Sequence, residues 1–403
     1  MPQVGSVDEI GRNLITGWAI DTDHPDRQVE VIATANGRNI GRTLTERPRA
    51  NLLERLKAQV RPELHDQITP NCGFELVIDP ALSVFHDQAV EVRFARGEGL
   101  LRRNTRTLPA PQPGRMKLSP LLVVAAGRSG TTMMMQHLAR HPEIVLADRY
   151  PFEMKFVSYY ADAFRVLMSE TDRKRSLHPD ALGKNAFSIG FNPYHRRSLH
   201  SFIKTPRVID DYFDRAMPDT LVRAFGEIIG GYYERVQQDQ GKTTARFFAE
   251  KAGPFDTIRD GARLFAGQSH EILLVRDPRD ILCSANSFWN ARKDAAIRNI
   301  AVITHRLEKA QSEASSQTLV VRYEDLVTDQ QATLDRIWGF LGVASDFGSA
   351  DEKADSRLFS RHGTSKSPAA SIGRWRKELS GDEIRECASV FGSFLDRFGY
   401  AAA

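Results

Sequence analysis

The chain has 403 residues, of which 41% are hydrophobic, 26% charged and 9% aromatic, and 55 basic against 51 acidic side chains leave a net charge of +4. That length suits two domains with a sizeable core, and the composition excludes a collagen-like fibre, a disordered tail and a disulfide-stapled miniprotein. The slight basic balance favours anionic ligands and is too small to argue for nucleic acid.

The first region has period two. VEVIATANGRNIGRTL alternates apolar and polar residues around Asn36-Gly37, a pair that supplies positive φ for a type I′ hairpin. AVEVRFARGEGLLRR predicts a second hairpin around Gly97 to Gly99, NCGFELVI a further strand, and ANLLERLKAQV one short helix. Residues 1–110 therefore read as a small β-sandwich-like accessory domain. The series GWAID, NGRNIG, CGFEL resembles β-domains attached to bacterial carbohydrate-modifying enzymes, against the simpler reading of a structural cap. The stretch PAPQPGRMKLSP, with four prolines and a glycine, predicts a linker over 111–120.

Beyond the linker, LLVVAA, IVLA, RFFAE, EILLV and TLVVR are short, nearly continuous apolar runs separated by helical segments. Such runs are what a parallel sheet buried on both faces requires, so residues 121–403 are expected to be α/β, a P-loop-type parallel sheet flanked by helices. Ligands of these sheets bind at the carboxyl ends of the strands. The loops just after the runs are therefore the ones to read.

Leu121 to Ala126 leads into GRSGTT (Gly127 to Thr132) and then the helix TMMMQHLAR. Small residues let backbone amides approach an anion, the helix N-terminus adds partial positive charge, and Arg128, Thr131 and Thr132 add donors. A nucleotide 5′-phosphate group fits there. A Walker A loop aligned on Gly130 would need Gly at Ala125 and Lys at Thr131; both are absent, which disfavours ATP hydrolysis. In the second loop, RDPRDILCS, Arg276 leaves a strand end, Asp277 can cap, and Pro278 suits the first helical position. Ser284 follows Arg276 by eight residues, so a guanidinium and a hydroxyl can converge on a second anion.

Together the two loops resemble sulfotransferases that use 3′-phosphoadenosine 5′-phosphosulfate (PAPS). GRSGTT is similar to their 5′-phosphosulfate loop and RDPRDILCS to their 3′-phosphate motif. EKAGPF, VRYEDL and SIGRWRKEL follow in the family's order, and the tyrosylprotein and bacterial carbohydrate branches look nearest. The resemblance spans about residues 118–400. It implies that Arg128, Ser129, Gly130, Thr131 and Thr132 hold the 5′-phosphosulfate and that Arg276 and Ser284 take the 3′-phosphate. Lys251, just after the strand RFFAE, resembles the lysine that contacts the transferring sulfonyl group; the alternative is a salt bridge with Glu250 or Asp256. Tyr323 and Arg322 lie near the nucleotide by resemblance, or VRYEDL serves only the fold. Where cytosolic relatives carry an Arg-Lys-Gly triplet, this chain has Pro368, Ala369 and Ala370, leaving Lys366 or Arg374 to substitute.

The implied chemistry displaces a phosphate oxygen by an acceptor oxygen, with charge building on the sulfonyl oxygens and the leaving phosphate. Arg128, Lys251 and the helix dipole fit that demand without a metal. The acceptor hydroxyl needs a general base. Relatives place a glutamate after the His-Pro dipeptide, which makes Glu153 in ADRYPFEMKF the first choice and Asp148 its rival; His137 and His141 read as helix-end residues.

Residues from about 156 to 245 form an insertion of helical pattern on the acceptor side, with basic runs at 172–175 and 194–200; His195 and His200 lack support for a metal site. Those runs recognise an anionic or polyhydroxylated acceptor or are a solvated surface. The expected function is sulfonyl transfer from PAPS to a carbohydrate or glycolipid hydroxyl. The alternatives are a P-loop-type small-molecule kinase and a non-catalytic nucleotide- or glycan-binding protein.

Cys72, Cys283 and Cys387 are odd in number and far apart, which reads as free thiols in a reducing compartment without a zinc site. The longest apolar stretch, Leu121 to Ala126, falls far short of the ~20 residues of a spanning helix. The opening MPQVGSVDEIGRN lacks a cationic head and an apolar run, so no secretory signal is expected. The expected location is cytoplasmic, with peripheral membrane contact left open and no nucleic acid partner.

Overall fold

The computed structural model describes residues 3–78, 81–96, 99–147, 151–168, 212–289, 292–345 and 364–401. Two compact units result, Met1–Gln112 with Arg165–Thr220, and Pro113–Phe164 with Leu221–Ala403. The basic runs at 172–175 and 194–200, with His195 and His200, lie outside the described residues, as does Asp148.

The first unit holds two four-stranded sheets. One is ordered β5 (Gly73–Val77), β2 (Leu14–Asp21), β1 (Gln3–Ile10), β7 (Gly99–Arg102). The other is ordered β4 (Arg38–Leu44), β3 (Glu30–Ala35), β6 (Gln88–Phe94), β8 (Thr105–Leu108). Alternation along β6, buried at Val90, Val92 and Phe94 and exposed between, turns one face inward, as the period-two sequence requires. Val7, Ile15 and Ala19 of the first sheet share one apolar cluster with Val31, Ala33, Val90 and Val92 of the second.

The hairpin at Asn36-Gly37 forms, with φ of 48° and 76° at the two turn residues, the signature of a type I′ turn. The second expected hairpin does not. β6 and β7 fall in different sheets, and β7 instead runs parallel to β1, Gln3 opposite Gly99. Gly99 permits that pairing because a Cβ there would stand 2.2 Å from the Gln3 carbonyl oxygen and 2.8 Å from the Phe94 ring. The short helix appears as a turn at Ala50–Leu52 followed by Leu53–Lys57, with Leu52 and Leu56 buried.

The second unit is built on a five-stranded sheet, ordered β10 (Ile144–Leu146), β11 (Phe247–Ala252), β9 (Ser119–Ala125), β12 (His270–Val275), β13 (Thr318–Arg322). Every pairing is parallel. Helices cover both faces, which explains why the strands read as unbroken apolar runs. On one face Leu121, Val123, Ala249 and Leu274 pack with Met134 and Leu138 of helix Thr131–Arg140 and with Ile337 and Trp338 of helix Gln330–Leu341. On the other, Phe248 stacks on Tyr233 of helix Met217–Asp239, ring centroids 3.9 Å apart. No helix among the described residues is long and apolar enough to cross a membrane.

Candidate functional site

The carboxyl ends of β9, β11, β12 and β13 lead into the segments that carry the chemistry. After β9 the chain turns through Arg128 (φ 68°) and Gly130 (φ 84°) into helix Thr131–Arg140, which starts on Gly130 without a side-chain cap. Gly130 is demanded twice over. Its left-handed backbone favours glycine, and a Cβ would lie 2.3 Å from the Tyr323 ring. Tyr323, at the end of β13, thereby sets the floor of the loop.

Arg276 leaves β12 almost buried, at 4% exposure. It donates to the carbonyls of Arg128 (2.8 Å) and Ser371 (2.7 Å) and lies over the Tyr323 ring at 4.4 Å. The Tyr323 hydroxyl and Ser371 Oγ are 2.9 Å apart. Arg128 Nε donates to Ser284 Oγ at 3.1 Å, and its guanidinium lies 4.2 Å from the Phe288 ring centroid. Burial, followed by the positive fields of Arg276 and Arg374, pulls the Arg128 guanidinium below its ordinary pKa. Three guanidinium groups therefore converge at the loop. Two buried polar atoms there, Ser129 Oγ and Arg276 Nε, have no hydrogen-bond partner among the described residues. Crowded cations and orphaned donors are what a polyanion would relieve.

Arg374 joins this cluster through backbone support. Its guanidinium donates to Thr364 Oγ1 (2.8 Å) and Ser287 Oγ (3.1 Å) and pairs with Glu378 (2.8 Å). Asp280, 1% exposed, accepts the amides of Gly373 (2.7 Å) and Trp375 (3.1 Å) on either side of Arg374. Burial pushes the Asp280 carboxyl up to about 6, with those two amides pulling the other way. Lys366, the other substitute considered, is exposed and makes none of these contacts.

Lys251 lies inside β11, paired opposite Val123, rather than just beyond the strand as expected, because the ladder with β9 runs on to Ala252. Its ammonium donates to Thr132 Oγ1 (3.0 Å), the Pro151 carbonyl (2.5 Å) and Glu153 Oε1 (2.8 Å). Neither Glu250 nor Asp256 is its partner: Glu250 faces Tyr233 and Val157, and Asp256 pairs with Lys309. Glu153 is half exposed and also meets Lys155 at 3.1 Å. Partial burial alone would raise its pKa, but Lys251 and then Lys155 outweigh burial and hold it below the ordinary carboxylate range. Phe152, just before it, is buried with φ 62°. A left-handed phenylalanine stores on the order of 1–3 kcal/mol of strain.

The geometry thus brings together Arg128, Ser129, Gly130, Thr131, Thr132, Arg276, Ser284, Tyr323 and Arg374 at one loop cluster, with Lys251 and Glu153 joined to it through Thr132. Arg322 is turned away, stacked on Tyr400 at 4.4 Å, and Glu324 supports the fold by accepting the Asp277 amide (3.1 Å) and the Tyr400 hydroxyl (2.9 Å). VRYEDL therefore serves both ends, Tyr323 toward the loop and its neighbours toward the frame. His141 is structural: it contacts the Ala344 carbonyl (2.9 Å), and its ring lies 4.7 Å from that of Trp338. Sequence reasoning missed Asp280, Ser371 and Thr364. Only Asp280 left a signal, a second acid in the loop RDPRD with no role in the pattern. Among the described residues no three His, Cys, Asp or Glu side chains gather as a metal site would need.

A parallel sheet with a glycine loop after its central strand and arginines at the next strand end defines an α/β protein built to grip a polyanion. A family model described as the sulfotransferase family matches residues 120–346, and the chain belongs to that family. It is 27% identical over 160 residues to human carbohydrate sulfotransferase 1, a match that covers 33% of this chain and 39% of that protein, so the chain spans about two fifths of the relative's length. Similar solved structures include the sulfotransferase domain of the Synechococcus PCC 7002 olefin synthase, with 20% identity, 72% of this chain and 97% of that one covered, and a TM-score of 0.44. Another is a sulfotransferase from Alicyclobacillus acidocaldarius, with 14% identity, 69% and 93% covered, and a TM-score of 0.39.

Proposed function

We propose that the chain transfers a sulfonyl group from PAPS to a hydroxyl of a carbohydrate or glycolipid acceptor. The observation that carries this reading is the convergence of Arg128, Arg276 and Arg374 with the orphaned Ser129 hydroxyl, while Lys251 reaches the same loop through Thr132. Family membership supports the reaction type, and the similarity to a carbohydrate sulfotransferase supports the acceptor class.

In this reading the loop amides, Ser129, Thr131 and Thr132 hold the 5′-phosphosulfate, and Arg276, Ser284 and Arg374 hold the 3′-phosphate. The acceptor oxygen bonds to sulfur as the bond from sulfur to the 5′-phosphate oxygen breaks. The electron pair leaves on adenosine 3′,5′-bisphosphate, and the acceptor proton goes to Glu153. Lys251 and Arg128 offset charge on the sulfonyl oxygens, the part of the barrier that preorganised cations lower most. A Glu153 held by Lys251 is a weak base; as Lys251 turns toward the sulfonyl oxygens, Glu153 regains basicity when the acceptor must lose its proton. The N-terminal β unit is read as a sandwich-like accessory domain.

The test is incubation with sulfur-labelled PAPS and a panel of glycans and glycolipids, against labelled ATP with the same panel. Labelled acceptor together with released adenosine 3′,5′-bisphosphate is the expected result. Transfer of phosphate from ATP would make the chain a kinase, and binding without transfer would make it a binding protein.

A further inference from the structure

Glu250 precedes Lys251 on β11, and successive residues of a strand face opposite sides of the sheet. While Lys251 reaches the Thr132 side, Glu250 is buried on the other face at 1% exposure. Its carboxylate accepts the Tyr233 hydroxyl at 2.6 Å and the Val157 amide at 3.1 Å from Oε2 and 3.3 Å from Oε1. Tyr233 is fixed in turn by its stacking on Phe248. Val157 is the second residue of helix Phe156–Leu167, whose first amides lack partners within the helix and favour a negative charge.

Lys251 holds the near end of the preceding segment through the Pro151 carbonyl and the Glu153 carboxylate. Glu250 holds its far end through Val157. Two consecutive residues of one strand thereby clamp residues 151–157 from opposite faces of the sheet, with Glu153 between the anchor points. We propose that Glu250 is a positioning residue for the transfer reaction: through the Val157 amide it fixes the segment that presents Glu153 to Lys251. This rests on the reading above in which Glu153 is the base.

Glu250→Gln keeps the shape but sets an amide group against the Val157 N–H or the Tyr233 hydroxyl. Tyr233→Phe is milder, removing one donor and leaving the carboxylate on Val157. Glu250→Gln is expected to lower kcat by about 10- to 100-fold and Tyr233→Phe by less than about 10-fold, while the Kd for adenosine 3′,5′-bisphosphate stays within about threefold. In both variants the Glu153 carboxyl, followed by carbon-13 NMR, should titrate higher than in the wild type, because its contact with Lys251 loosens. Glu250→Asp, which retains the charge, should recover part of the loss. A kcat and a Glu153 titration unchanged in folded Glu250→Gln would overturn the proposal, as would loss of adenosine 3′,5′-bisphosphate binding in step with kcat. If Glu250→Gln does not fold, Tyr233→Phe carries the same two readouts. A wild-type chain that transfers nothing would defeat the functional reading instead, and the Glu153 titration would then decide the clamp by itself.

Discussion

Lys251 Nζ stands 2.8 Å from Glu153 Oε1 and 3.0 Å from Thr132 Oγ1, so a single ammonium ties the glycine-loop helix to the proposed base. The pair is asymmetric in exposure, Lys251 at 8% and Glu153 at 51% of their side chains. The ammonium is enclosed by the fold, while the carboxylate it holds stands half exposed.

That asymmetry separates the two roles by mutation. Lys251→Ala should lower kcat by on the order of 10²- to 10³-fold while changing PAPS affinity by less than about fivefold. Glu153→Gln should lower kcat by roughly 10²- to 10⁴-fold and leave PAPS affinity intact, with a smaller deficit for acceptors whose hydroxyl is already acidic. Steady-state kinetics across acceptors of graded acidity check both. Near-wild-type turnover in Glu153→Gln would move the base elsewhere, with Asp148 the first alternative.

Gly130→Ala should be among the most damaging single changes in the second unit. Its methyl group would collide with the Tyr323 ring in a backbone conformation that alanine resists. The strain alone is about 1–3 kcal/mol. Thermal unfolding should show the loss, and Tyr323→Ala combined with Gly130→Ala should relieve only the steric part. An unchanged melting temperature would contradict the tight packing of loop on tyrosine.

Arg276 and Ser284 should distinguish PAPS from its analogue lacking the 3′-phosphate. Removing a charge-assisted hydrogen bond costs about 1.5–3 kcal/mol, so Arg276→Ala should weaken PAPS binding by at least about tenfold and Ser284→Ala by less. Calorimetry with both ligands makes the comparison. Equal affinity of the wild type for the two would remove the assignment.

Asp280 gives a pH signature. Its carboxyl binds a proton more tightly in the fold, at about 6 against an ordinary 3.8. The native state therefore takes up the proton first, and this group subtracts stability as pH rises from about 4 to about 6, by on the order of 3 kcal/mol at full ionisation. Asp280→Asn removes that slope, so the variant should gain on the wild type between pH 4 and pH 7 in denaturant titrations. It should also bind adenosine 3′,5′-bisphosphate more weakly at pH 7, since the Gly373 and Trp375 amides use different carboxylate oxygens, asparagine keeps only one of them as an acceptor, and Arg374 loses part of its support. Parallel stability curves for the two proteins across that range would refute the account of Asp280.

What could be read beforehand follows from the range of the interactions. The strands of the second unit announce themselves because a sheet covered on both faces needs uninterrupted apolar runs, and the glycine loop because its demands are local. The failed hairpin at 97–99 marks the limit: β7 pairs with β1, whose residues lie almost the whole unit away in sequence, and only the missing Cβ of Gly99 hints at the close approach. The contacts of Lys251 were similarly hidden. Thr132, Pro151 and Glu153, which accept from it, lie about a hundred residues upstream, whereas the carboxylates that the sequence suggests, Glu250 and Asp256, are its neighbours in the chain. Strand alternation sends Glu250 to the opposite face, a rule available from the sequence once β11 is known to extend to Ala252. Asp280 stood out only as a second acid in RDPRD; its partners escaped because they are backbone amides, which carry no residue signature.

The central claim is that the arginine cluster and Lys251 serve sulfonyl transfer, and its most direct measurement is a mass balance. With sulfur-labelled PAPS and a hydroxylated glycan or glycolipid acceptor, the account predicts one adenosine 3′,5′-bisphosphate released for each labelled acceptor formed, at a rate lowered by on the order of 10²- to 10³-fold in Lys251→Ala although that variant still binds PAPS. Release of adenosine 3′,5′-bisphosphate at an undiminished rate in Lys251→Ala, or no labelled acceptor across the panel from wild-type protein that binds PAPS, would contradict it.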